Sequence, residues 1–173
     1  MYKFLYIIIF SILLVTKSYS EIIKKVEVRN NDRITKETIF VFSNIEIGKN
    51  YDSNDLNLII KDLYNTNFFS DISLNLNDGV LTINVIENKI IQQLEINGIK
   101  KKELVEILKK QLLLKDKNPF VEGFVLKDID RIQKILKNSG YYFASVTDKI
   151  IENQNNTVDI FFEIELGEKA YIK

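Results

Sequence analysis

The chain carries one pattern twice, and that duplication limits its fold more than any single residue does. Shifting the first half by 73 residues puts Tyr51 on Phe124, Asp55 on Asp128, Leu56 on Ile129 and Ile59 on Ile132. The same shift puts Leu63 on Leu136, Asn67 on Gly140, Phe68 on Tyr141 and Phe69 on Tyr142. Asn and Gly best tolerate the left-handed conformation that ends many helices, so positions 67 and 140 share a role. A unit of about 70–80 residues lies near the lower limit for independent folding. The pattern therefore predicts two small modules in tandem rather than one larger domain.

Within the first module, Ile72, Leu74 and Leu76 alternate with Ser73, Asn75 and Asn77, which predicts a strand with one buried and one wet face. Asp78-Gly79 suits a two-residue type I′ turn, where both positions need positive φ. With that turn Leu76 faces Leu81, Leu74 faces Ile83 and Ile72 faces Val85, and a one-residue slip would put these pairs in water. Leu56, Ile59, Ile60 and Leu63 form a helical stripe, with Asp52 or Ser53 as its N-cap. Residues 35–42 suit a shorter helix starting near Thr35, and residues 22–30 alternate as one strand through Val26 and Val28. The second half repeats this order. Residues 90–98 read as a strand closed by Asn97-Gly98, followed by a helix with Leu104, Ile107, Leu108 and Gln111 or Leu112. Pro119 lies in a linker, where its missing N–H costs nothing. A second helix carries Val125, Ile129, Ile132 and Leu136. The closing hairpin turns around Asn153 to Asn156, and Val158, Ile160, Phe162 and Ile164 alternate in its last strand. The fold class is α+β: two β-α-α-β-β modules, each a three-stranded mixed sheet covered on one face by two helices.

Composition removes several chemistries. Cys and His are absent, which excludes thiol nucleophiles, His-based triads and zinc sites of the usual ligands. Net charge is zero, so nothing points to nucleic acid. Asp52 with Asp55, or Asp128 with Asp130, can be posed as carboxylate pairs. They fall at expected helix starts, where capping and the helix dipole account for acids without chemistry. No catalytic, cofactor or metal site is expected, and the chain is not expected to be an enzyme. The first twenty residues differ from the rest: Lys3, an apolar run from Phe4 to Val15, then Ser18-Tyr19-Ser20. These are the parts of a secretory signal peptide, cleaved between Ser20 and Glu21.

In order, these elements resemble the POTRA domains of BamA-type outer-membrane assembly proteins. The resemblance rests on Leu63-Tyr64, Phe69 to Ile72, Asp78-Gly79-Val80-Leu81, Val85 and Glu87, then Ile96-Asn97-Gly98. In the second module it rests on Gly140-Tyr141-Tyr142-Phe143-Ala144-Ser145-Val146. The sequence departs from the family at Asn88-Lys89, where a proline is usual, and at Asn67, where a glycine is usual. The resemblance implies residues 21–88 as the first module, 89–168 as the second and 169–173 as the start of a third.

It also implies a periplasmic scaffold or chaperone-like arm of a machine that inserts β-barrel proteins, tethered to the outer membrane through a C-terminal barrel absent from this chain. Its implied partners are unfolded outer-membrane clients, periplasmic chaperones and assembly lipoproteins, with no nucleic acid. The alternatives are an FtsQ-like inner-membrane division protein, or the POTRA region of a TamA-type or two-partner-secretion transporter. The family's sheet order places the strand after the second helix at an edge. The candidate partner-binding residues are then Ile72, Ser73, Leu74, Asn75 and Leu76, with Ala144, Ser145, Val146, Thr147 and Asp148 in the second module. Extended segments would join these edges by main-chain pairing.

Overall fold

The structure, a computed structural model, describes residues 20–169. The expected signal peptide lies outside these residues except for Ser20, and of the expected start of a third module only Lys169 is described. The first module runs β1 (Glu21–Ile22), β2 (Lys25–Arg29), α1 (Lys36–Ser43), β3 (Asn50–Tyr51), α2 (Ser53–Asn65), β4 (Phe69–Asn77) and β5 (Val80–Glu87). The second runs β6 (Ile90–Asn97), α3 (Lys102–Gln111), α4 (Gly123–Asn138), β7 (Ser145–Glu152) and β8 (Thr157–Glu165). The fold is α+β, with the strand orders β2-β5-β4 and β6-β8-β7. In each sheet the last strand is central. It pairs parallel with the first, and in the second module antiparallel with its hairpin partner. Among the described residues, chain contacts gather two compact units: 20–65 with Asp71–Val85, and Thr66–Ser70 with 86–169.

Local chemistry sets the helix ends. Thr35 caps α1, its hydroxyl accepting from Thr38 N–H at 3.2 Å, and Asn44 closes that helix with φ 49°. At α2, Asp52 Oδ1 accepts from the N–H groups of Asn54 (2.8 Å) and Asp55 (3.0 Å). Asp55 reaches back to Asp52 N–H at 3.0 Å, which completes a reciprocal capping box. The predicted match of positions 67 and 140 holds: Asn67 has φ 60° and Gly140 φ 92°. Beyond Gly140, Tyr141 N–H returns to the Leu136 carbonyl at 3.0 Å and stops α4.

The central strands bury their alternate residues as predicted: Leu81, Ile83 and Val85 in β5, and Val158, Ile160, Phe162 and Ile164 in β8. In the first module Ile59 and Leu63 are buried as well, and in the second the strand packs with Leu104, Leu108, Ile132 and Leu136. Ile107 departs from its expected stripe and is 52% exposed. A narrow buried seam built on Leu104 and Leu108 is enough for so short a helix.

The expected single strand over 22–30 is broken. Ile22 pairs with Asn50 in the small β1–β3 sheet, while Lys25–Arg29 pair with β5. Between them Ile23 is held by the loop joining the two helices, donating to the Lys49 carbonyl (3.1 Å) and accepting from Gly48 N–H (2.7 Å). The second module repeats this arrangement bond for bond. Ile91 donates to the Asn118 carbonyl (2.9 Å) and accepts from Lys117 N–H (2.7 Å), and β6 shifts register between Ile91 and Gln93. Gly48 and Lys117, at matching places in the two loops, both have positive φ (91° and 66°). Alternation could not show this, because an extra strand residue changes the period without changing residue type.

The hairpin turn is as expected, with Asp78 at φ 53° and Gly79 at φ 79°. The N-terminal segment clamps it: the Gly79 carbonyl accepts from Lys24 N–H (2.7 Å) and Lys25 N–H (3.1 Å), and Gly79 N–H donates to the Glu21 carboxylate. A Cβ at Gly79 would lie 2.8 Å from Lys24 Cδ and 3.2 Å from the Ile22 carbonyl. We expect Gly79→Ala to cost about 1–2 kcal/mol in urea unfolding, from the unfavourable φ and the displaced clamp. An unchanged unfolding midpoint would mean that the turn carries no strain.

Candidate partner-binding edges

The strand orders leave β4 and β7 at sheet edges, where the family resemblance places them. In β4 the two-residue turn makes 77:80, 75:82 and 73:84 the bonded pairs, so the backbones of Ile72, Leu74 and Leu76 point away from β5. Ser73 and Asn75 instead bond inward. Ile72 is buried but Leu74 and Leu76 are only half-buried, because no strand lies beyond them. Ile72 is also not free at its backbone. Its N–H donates to the Tyr64 hydroxyl at 3.2 Å, and that hydroxyl lies 3.3 Å from Asp71 Oδ1.

In the second module Asn153 N–H donates to the Thr157 carbonyl at 2.9 Å, which makes 153:157 a bonded pair. Following the register, 151:159, 149:161, 147:163 and 145:165 are bonded as well. Val146, Asp148, Ile150 and Glu152 therefore present outward backbone groups. Of the expected residues, Val146 and Asp148 hold that position, Ser145 and Thr147 bond inward to β8, and Ala144 precedes the strand. The sequence reading missed Ile150 and Glu152, because the longer turn hides which residues pair. An open groove of about 320 Å³ flanks the start of β7, lined by Lys134 and Lys137 of α4 together with Tyr141, Tyr142 and Ala144.

Of the acidic residues weighed as catalytic pairs, Asp52, Asp55 and Asp128 accept from backbone N–H groups. Asp52 and Asp55 form the capping box described above. Asp128 does not lie at a helix start: α4 begins at Gly123, which puts Asp128 one and a half turns inside it. It is fully buried (0%), and its two oxygens accept from Leu113 N–H (2.7 Å) and Leu114 N–H (2.9 Å). Asp130 is exposed and pairs with Lys134 at 2.6 Å. Glu27 is held below the ordinary carboxylate range, first by a hydrogen bond from Lys25 and then by Arg29, on a solvated strand face. Among the described residues no cluster of acids could hold a metal ion.

The two aromatic corners differ. Phe69 is 2% exposed, with Phe68 against its edge at 6.4 Å between ring centres. Tyr142, the repeat partner of Phe69, is 53% exposed, and Phe143 is 76% exposed. The second corner is one turn longer before its strand begins, and its aromatics are carried outward. Lys100, Lys101 and Lys102 are solvated, and Lys101 pairs with Glu103 at 3.5 Å.

Residues 89–167 match the family described as POTRA, surface antigen variable number repeat. The chain is 28% identical over 153 residues to the outer membrane protein assembly factor BamA of Neisseria meningitidis, covering 87% of this chain and 19% of that protein. It spans about a fifth of the length of the curated relatives it matches. Among solved structures, the first two POTRA modules of the periplasmic domain of Omp85 from Anabaena superpose with a TM-score of 0.53 at 15% identity, over 89% of this chain and 100% of that one. The N-terminal domain of Omp85 from Thermosynechococcus elongatus gives a TM-score of 0.57 at 14% identity, over 84% of this chain and 63% of that one. Its second module thus matches the POTRA family, and the fold of the whole tandem is that of solved pairs of POTRA modules.

Proposed function

We propose that the chain is the periplasmic POTRA region of an outer-membrane protein assembly factor, binding extended polypeptide segments by adding them to its sheets. The observation that carries this reading is β7. It is an edge strand whose outward backbone groups at Val146, Asp148, Ile150 and Glu152 form a row that a second strand can pair with. Such a row is a liability unless it is used or protected. Main-chain bonds supply the affinity, so capture is weak and tolerant of sequence, which suits unfolded barrel clients of many kinds. The same edge is open to an assembly lipoprotein or a chaperone that offers a strand. Export through the N-terminal segment and tethering to the outer membrane belong to the same proposal, as does a division into modules near Asn88-Lys89.

The test separates backbone from side-chain recognition. A strand-forming peptide of about eight residues is compared with a copy N-methylated at alternate positions, which keeps every side chain and removes the pairing donors. We expect binding to the two-module chain to weaken at least about tenfold, through the loss of two or more hydrogen bonds. Equal binding by both peptides would exclude strand addition.

A further inference from the structure

The two modules do not offer equivalent edges. The repeat pairs Leu63 with Leu136, both fully buried, and so pairs Tyr64 with Lys137 at the next position of each second helix. Tyr64 reaches across to β4 and its hydroxyl occupies Ile72 N–H, one of three outward donors on that edge. It is held there by Asp71. The seat is thus filled from within the chain. In the second module the matching side chain, Lys137, has no acceptor oxygen with which to satisfy a strand N–H. It lines the open groove beside β7. Among the described residues no side chain is bonded to the backbone of Val146, Asp148 or Ile150.

We infer that Tyr64 latches the edge of the first module shut, and that β7 with its flanking groove is the binding edge of this pair. The inference rests on the strand-addition reading above. It names the occupant as an extended peptide with apolar residues at alternate positions. The run of outward main-chain groups selects the extended form. Val146 and Ile150, which share the core-facing side of β7, select apolar alternation. Tyr141 and Tyr142 at the groove wall give one of those side chains an aromatic surface to lie on.

The experiment uses the isotope-labelled two-module chain, titrated with a peptide of about eight residues that alternates valine or tyrosine with threonine. Amide shifts are expected at Val146, Asp148 and Ile150 and near Lys134 and Lys137, with Ile72, Leu74 and Leu76 unmoved. In Tyr64→Phe the first edge opens. Hydrogen exchange at Ile72 accelerates, and shifts appear at Ile72, Leu74 and Leu76 with affinity there raised about fivefold. Tyr64 is exposed enough for phenylalanine to leave the fold intact, which the unchanged remainder of the spectrum checks. If the wild-type chain responds equally at both edges, or Tyr64→Phe leaves the first edge silent while β7 responds, the latch is wrong and strand addition survives. If neither edge responds in either chain, strand addition itself fails.

Discussion

Replacing Gly98 by alanine is expected to unfold the second module. Gly98 has φ 86°, and a Cβ built there would lie 1.8 Å from the Ile164 carbonyl oxygen and 2.8 Å from its carbon. The obstacle is main chain, at the far end of central strand β8, so no rotamer change relieves it. The end of β6 must part from β8 by more than about an ångström. We place the cost at about 4 kcal/mol, in the range of the most damaging single substitutions. A module of this size has a total stability of about 4–12 kcal/mol, so its melting temperature falls by about 20 °C or the transition disappears. Thermal melting followed by amide spectra reads the result: resonances of Ile91, Leu94 and Phe162 collapse while those of Leu81 and Ile83 stay dispersed. A melting temperature within about 3 °C of wild type would show that the contact relaxes freely. Loss of both sets together would show that the two compact units fold as one.

Asp128→Asn is the second large effect. The substitution keeps the size of the side chain and leaves one acceptor, so an amide NH2 now faces one of the two backbone donors at Leu113 and Leu114. In a fully buried site the orphaned N–H and the donor–donor contact together cost about 3 kcal/mol. The segment leaving α3 should loosen first, seen as faster hydrogen exchange at Leu113 and Leu114. Asp130→Asn, two residues on, is the control. Its pair with Lys134 is solvent-exposed, and its loss costs no more than about 0.5 kcal/mol. If the two variants unfold alike in urea, Asp128 does not carry the structural role assigned to it.

These residues mark the limit of what the sequence discloses. Alternation alone placed β5 and β8, Asp78-Gly79 fixed the hairpin turn, and the equivalence of Asn67 with Gly140 was readable from conformational preference. Each depends on neighbours within a few positions. Asp128 instead reads as a helix-start acid, because α2 and α4 align in sequence although α4 starts a turn earlier. The acid that caps one helix thus lies inside the other, where burial forces it to find other donors. Tyr64 read as part of a family motif, and its hydroxyl's partner eight residues on could not be inferred from spacing. The Ile23 and Ile91 hooks were hidden because their partners are backbone groups in loops, which carry no side-chain signature. The candidate edges were half legible: the family resemblance put β4 and β7 at the edges, but the outward residues of β7 depend on a turn whose pairing shows only in the structure.

The hook on Ile91 has a consequence for assembly. Together with the Ile90–Pro119 bridge and the Asp116 carboxylate on Leu94 N–H, it occupies the outer side of β6 along its first half. The sheet of the second module is therefore open along β7 and covered over the first half of β6. Copies of this sheet meeting through their edges have in β7 the longer uncovered run, and the same surface meeting itself is a two-fold, self-completing contact. The head-to-tail arrangement that would propagate into a fibre needs two unlike free edges, and the loop between the helices covers half of one. A contact of β7 with its own copy therefore ends at two chains.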